Sequence, residues 1–226
     1  MTTINTLTYN MDQAIAFQRP NCIYCSEIMD LSTLAAFAFF VAVMTGTPGP
    51  GNLTFMAIGA TSGYRTAFPV IVASQLGSLV LNLCVAFGLG QVMAEGGPLV
   101  TVFKVLSMTY MAYLAWRIVS LSIKPKGDVR LPSFWEGILI HPLSPKTWAM
   151  SLVAFTTFFA GNGLALGENA ALLTGGFLIG GTIAHSIWAL VGVSILAVLG
   201  DGPILRATTI TMAGGMLAAT AWAMLL

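Results

Sequence analysis

Two short stretches hold the residues whose types and spacing could do chemistry: Pro48-Gly49-Pro50-Gly51-Asn52 and Ser144-Pro145-Lys146. Proline removes a backbone donor and collides with the preceding turn, and glycine is a poor helix former, so both stretches predict an interrupted helix. An interruption frees carbonyls on one side and N–H groups on the other. A half-helix restarting near Gly51 or Asn52 aims its positive end into the gap, where an anion can be held. Glycine there lets backbone approach a ligand closely. Lys146 brings an ammonium that asks for a cavity or an anionic partner. The plainer readings are a proline kink that serves packing, and a lysine that anchors a helix end at the interface.

The elements that must carry these stretches are membrane-embedded. The chain is 226 residues long, 57% hydrophobic and only 8% charged, with a mean hydropathy of +0.87. A soluble domain usually carries about 25% charged residues. The net charge of +1 offers no nucleic-acid surface and no acidic tail. Charge-free runs predict six spanning helices near 31–57, 67–93, 98–121, 134–160, 170–198 and 204–226. Lys104 and Arg117 fall near the ends of the third, where both can snorkel. Arg65, the cluster Lys124, Lys126 and Arg130, and Arg206 fall in alternate loops, which makes that face cytoplasmic and points both termini outward.

Residues 29–122 and 134–226 are nearly equal in length, supply three helices each, and flank a cytoplasmic loop at 123–133. In each half the first helix carries the prolines and the second is rich in glycine. Three helices per half force the second copy to be inverted. The fold class is therefore an all-α integral membrane protein of two inverted three-helix repeats. Matched breaks in two halves are the strongest sequence pointer to a carrier's binding site. Residues 1–28 form a polar, unpatterned extension, read as a mis-assigned start or a disordered tail. Cys22-x-x-Cys25 lies in it without a strand–helix context, so its redox spacing carries no weight.

His185, mid-helix in the fifth span, titrates near neutrality and could carry a coupling proton, or could be a packed histidine bonded to a neighbouring helix. His141, beside the second break, has the same two readings. Glu136 reads as interfacial. Gln75 and Asn82 share one face of the second helix, where they line a pore or bond across helices.

Taken as a set, Pro48-Gly49-Pro50, Gly63-Tyr64-Arg65, the run from Tyr110 to Arg117, Phe134-x-x-Gly137 and Ser144-Pro145-Lys146 resemble the lysine-exporter and homoserine/threonine-efflux (LysE/RhtB) family of bacterial inner-membrane translocators. The resemblance runs from about residue 29 to the C-terminus. It implies export of amino acids or related metabolites, driven by an ion gradient such as protons, with no ATP-binding module and no cofactor. The family's fourth-helix motif is usually Asn-Pro-Lys. Here Ser144 keeps a hydroxyl but loses the amide's paired donor and acceptor. Met108 stands where small residues are common.

On this reading the substrate site comprises Pro48, Gly49, Pro50, Gly51, Asn52, Ser144, Pro145 and Lys146, with His185 and His141 as candidates for proton coupling. No Asp or Glu lies deep in a predicted span, so a neutral, threonine- or homoserine-like amino acid is expected, and a metal site is not. A divalent-cation exporter on a related fold is the alternative, and would need intramembrane carboxylates or thiols. Glycine pairs fit packing within one subunit or between two, so a homodimer is a further expectation.

Overall fold

A computed structural model describes residues 30–90, 97–123, 132–199 and 202–225. The N-terminal extension with its Cys-x-x-Cys spacing and the charged cluster of the central loop lie outside them. Every regular element among the described residues is helical.

Helix α1 spans Leu31–Gly46 and is capped by Asp30, whose carboxylate accepts from the N–H groups of Ser32 and Thr33. Helix α2 spans Pro50–Ser62, with proline in its first turn, where no backbone donor is needed. The two meet at 57° across Thr47–Gly49 and together pass as one broken span. Gly63, at φ +82°, turns the chain into α3, Tyr64–Ala86. Helix α4 spans Pro98–Ile123. The second half opens with a short α5, Phe134–Leu139, then α6, Pro145–Ala154, which runs into a π-helical turn at Phe155–Phe159. Helices α7, Leu166–Leu199, and α8, Pro203–Leu225, complete the described chain. Segments of α3, α4 and α7 are each long and apolar enough to cross a membrane, and the bent pair α1–α2 passes the same test when its two helices are taken together.

The expected first and fourth helices are thus each split. The first resumes at Pro50 and reaches Ser62, beyond the expected end near 57; the fourth divides at residues 140–144. The fifth starts at Leu166, about one turn earlier than charge and hydropathy predict.

Helix α2 sits at the centre. Eleven of its thirteen residues are buried, as befits a helix with no polar face to offer. It packs chiefly on α7, and also on α3 and α4. Its approach to α7 is backbone to backbone: a Cβ on Gly59 would stand 2.0 Å from the Ala189 carbonyl oxygen, and one on Gly192 2.0 Å from that of Met56. Helix α5 leans on α3 in the same way, through Gly77 against the Ile138 carbonyl and Gly137 against Val70. Helix α1 buries Phe37, Val41 and Thr45, one face at helical spacing. Phe37 and Val41 stand against Gly176 and Gly180 of α7.

Arg117 does not snorkel. Its side chain is 10% exposed, lies 3.9 Å from the Glu136 carboxylate and sits over the Tyr113 ring. Glu136 closes a capping box with Ser133 and accepts from the Tyr113 hydroxyl, while Tyr110 donates to its carbonyl. A residue read as merely interfacial fastens α5 to α4.

Candidate functional site

The first break leaves the last carbonyls of α1 without helical partners, and each finds one. Thr47 donates its N–H to the Val43 carbonyl (3.0 Å) and its hydroxyl to that of Met44 (2.9 Å). Asn52 donates both amide hydrogens, to the carbonyls of Thr45 and Thr47, each at 2.8 Å. The Trp188 indole reaches the Gly46 carbonyl at 3.1 Å. Lys146 Nζ donates to the Thr47 carbonyl (2.8 Å) and hydroxyl (2.7 Å). Exposed to hydrocarbon these carbonyls would be costly. Here each has a donor from the protein.

The second break closes locally. Leu143 N–H donates to the Leu139 carbonyl, Ser144 N–H to that of His141, and the Trp148 indole to that of Pro142. Ser144 occupies the N-cap of α6, but its side chain makes no capping bond. Helix α6 restarts at Pro145, so Lys146 does stand in a first helical turn. That turn faces the other break rather than the end of a span.

The N-terminal turns of α2 and α6 line one cavity of about 30 Å³. Gly49, Pro50, Gly51, Asn52, Ser144, Lys146, His141 and His185 all border it, joined by Gln75, Thr147 and others. Pro48 and Pro145 border instead an adjoining, largely apolar cavity of about 400 Å³ between α2, α6, α7 and α8, which shares Gly49, Pro50, Ser144 and Lys146 as its wall. All ten residues singled out in the sequence therefore meet at these two spaces.

His141 and His185, 44 positions apart in sequence, stack with ring centroids 5.0 Å apart and planes within 20°. His141 Nδ1 lies 3.3 Å from the Thr147 hydroxyl and His185 Nδ1 3.5 Å from the Gln75 amide nitrogen. Gln75 also donates to Thr182, and Gly181 leaves the space its amide fills. Asn82 instead accepts from Ser151 across to α6. Of the pair on the second helix, one borders the cavity and the other ties helices together.

Electrostatically the small cavity is one-sided. Two helix N-termini and an ammonium converge on it, and no carboxylate lines it. A cation in a first helical turn opposes the helix dipole, so Lys146 gains nothing from α6 by standing there. The arrangement asks for an anion. Among the described residues no cluster of three or more His, Cys, Asp or Glu could hold a metal ion.

Thr47, Thr147 and Trp188 are not singled out from sequence, and Gln75 reads there as lining a pore or bonding across helices. Trp188 lies one turn beyond His185 on the same helix face, the one signal that could have found it.

Helix breaks that enclose a buried polar cavity, in a bundle with several apolar spanning helices, are the architecture of a multi-pass membrane carrier. Residues 40–226 match the LysE type translocator, and the chain belongs to that family. It is 27% identical over 166 residues, 73% of this chain and 84% of theirs, to cysteine/O-acetylserine efflux proteins of Escherichia coli strain K12 and of Shigella sonnei strain Ss046. No solved structure matches.

Proposed function

We propose that the protein is a secondary exporter of small neutral amino acids across the bacterial inner membrane, ion-gradient driven, working by rocking of two inverted three-helix halves. The observation that carries this reading is the one-sided cavity. Two helix N-termini and Lys146 offer a substrate carboxylate three sources of positive charge, with no acid nearby to serve a cationic side chain. The relatives' named substrates support it, since cysteine and O-acetylserine are neutral amino acids with short side chains. Threonine and homoserine belong to the same class.

At about 30 Å³ the small cavity has room for roughly one water, so loading needs the halves to part. The bond to break is the one between Lys146 and Thr47, with the carboxylate replacing the Thr47 carbonyl on Nζ. The 400 Å³ cavity beyond that bond takes the amino-acid side chain. His141 and His185 are the two candidates for the coupling proton, and a second copy packs alongside in the bilayer.

The test is efflux from cells loaded with dipeptides, comparing the intact chain with Lys146→Ala at equal membrane abundance. Faster release of a neutral amino acid that the variant loses supports the site. Release unchanged by the variant removes Lys146 from it. Stronger release of lysine than of any neutral amino acid overturns the substrate class.

A further inference from the structure

Two buried side-chain atoms bordering the small cavity have no hydrogen-bond partner: Asn52 Oδ1 and His141 Nε2. Both residues are more than nine-tenths buried, and an unpaired polar atom in such a place costs about 1–3 kcal/mol. For Asn52 the assignment is fixed by its partners. Asn52 must point its amide nitrogen at the carbonyls of Thr45 and Thr47, which leaves the oxygen facing away from them. The Gln75 nitrogen donates to the Thr182 hydroxyl, whose own hydrogen goes to the Leu178 carbonyl. That same nitrogen faces His185 Nδ1, which must therefore accept. The Thr147 hydroxyl can accept from or donate to His141 Nδ1. In the tautomer whose Nδ1–H donates, the Nε2 lone pair is free, and that tautomer is part of the proposal.

We propose that Asn52 Oδ1 and His141 Nε2 are the acceptors for the substrate's α-ammonium, and that a proton and the ammonium compete for His141 Nε2. This rests on the exporter reading above. An ammonium is about the size of the water the cavity would hold, and it brings hydrogens to two acceptors that have none. The carboxylate, on the far side of the same substrate carbon, then falls towards Lys146. A proton arriving at His141 forms an N–H bond on the lone pair the ammonium was using. One positive charge takes the place of another, and the ammonium must leave. Loss of that proton on the opposite side restores the lone pair. Exchange of proton for amino acid follows without any carboxylate relay.

The groups facing His141 favour this competition. Lys146 comes from α6 and His185 from α7, and both can be cationic. Helices α2 and α3 contribute the neutral Asn52, Gln75 and Ser78. No bordering acid steadies an imidazolium and an ammonium together.

The experiment measures binding of L-threonine, L-homoserine and L-cysteine to the purified full chain by calorimetry, from about pH 8 to about pH 5, the range of imidazole titration. The apparent affinity is expected to fall towards low pH, by at most about tenfold per pH unit, the limit for one proton excluding one ligand. His141→Gln offers an acceptor that cannot be protonated, and should bind with no pH dependence, while His185→Gln should keep the slope. A probe lacking the amino group, 3-hydroxybutyrate, should bind at least about tenfold more weakly than L-threonine at high pH, because a charged hydrogen bond is missing. That comparison needs no variant. A slope that survives in His141→Gln, or a 3-hydroxybutyrate affinity equal to that of L-threonine, overturns the inference. Flat binding of an amino acid by the intact chain does so too and leaves the exporter reading standing. Binding of none of the three amino acids removes both.

Discussion

At the first break the carbonyls of Gly46 and Thr47 are taken by Trp188 and Lys146, which lie 142 and 99 positions further along the chain. At the second break the carbonyl of Pro142 is taken by Trp148, six positions away, and those of Leu139 and His141 by backbone within the same turn. The same backbone problem has two solutions. A break that closes on itself can move as a piece. A break closed by the other half of the molecule would have to exchange partners if the halves moved, which on the exporter reading proposed above couples motion to binding at Thr45–Asn52.

The helix after the first break and the helix before the second each rest on a glycine contact with a neighbouring helix, and the largest expected effects lie there. Gly59→Val and Gly77→Val each drive a side chain into a carbonyl 2.0 Å from where the Cβ must stand. Overpacking typically costs about 1–3 kcal/mol, and backbone on both sides leaves no cheap way to relax. Neither variant is expected to yield folded protein by size-exclusion in detergent. Gly175→Ala, with open space at the same position, should fold as well as the parent. Equal behaviour of all three would show that the close contacts are not what holds these helices together. Next comes Glu136→Ala, which opens the capping box and leaves Arg117 buried without its counter-charge. A loss of about 3 kcal/mol is expected in a denaturant titration, with α5 released from α4.

The asparagine and serine that stand near the two breaks sharpen the comparison further. Asn52→Ala strips the Thr45 carbonyl of its partner at a buried site, at a cost of about 1–3 kcal/mol. Ser144→Ala removes a buried hydroxyl that makes no capping bond, and should cost clearly less than Asn52→Ala in thermal denaturation. A Ser144 cost as large as that of Asn52 would mean the second break also depends on its side chains.

Much of this was legible because proline and glycine act locally. Pro48-Gly49-Pro50 and Pro142 to Pro145 mark both breaks to within a few residues, and Lys146 is conspicuous in so apolar a chain. Long-range pairing was not legible. Nothing local in Trp188 says that its indole meets Gly46, nor in Thr47 that its carbonyl holds Lys146. Arg117 was misjudged because its counter-charge, Glu136, stands 19 positions on, although Ser133-x-x-Glu136 already carries the capping-box spacing. The histidines were visible singly. Their stacking depends on how α7 crosses the turn between α5 and α6.

The smallest effect is the most discriminating. Each break has one indole donating to a freed carbonyl: Trp188 to Gly46 at 3.1 Å and Trp148 to Pro142 at 2.8 Å. Replacing either by phenylalanine keeps most of the ring and deletes one hydrogen bond, so both variants should lose about 1 kcal/mol by thermal denaturation. Their transport should part company. Trp148→Phe loosens a turn that stays whole through the cycle, and leaves the efflux rate near that of the parent once abundance is matched. Trp188→Phe weakens a bond between the halves, so the closed arrangement loses stability relative to any open one and the rate should change. Equal rates in the two variants would mean that the first break, like the second, travels as a rigid piece.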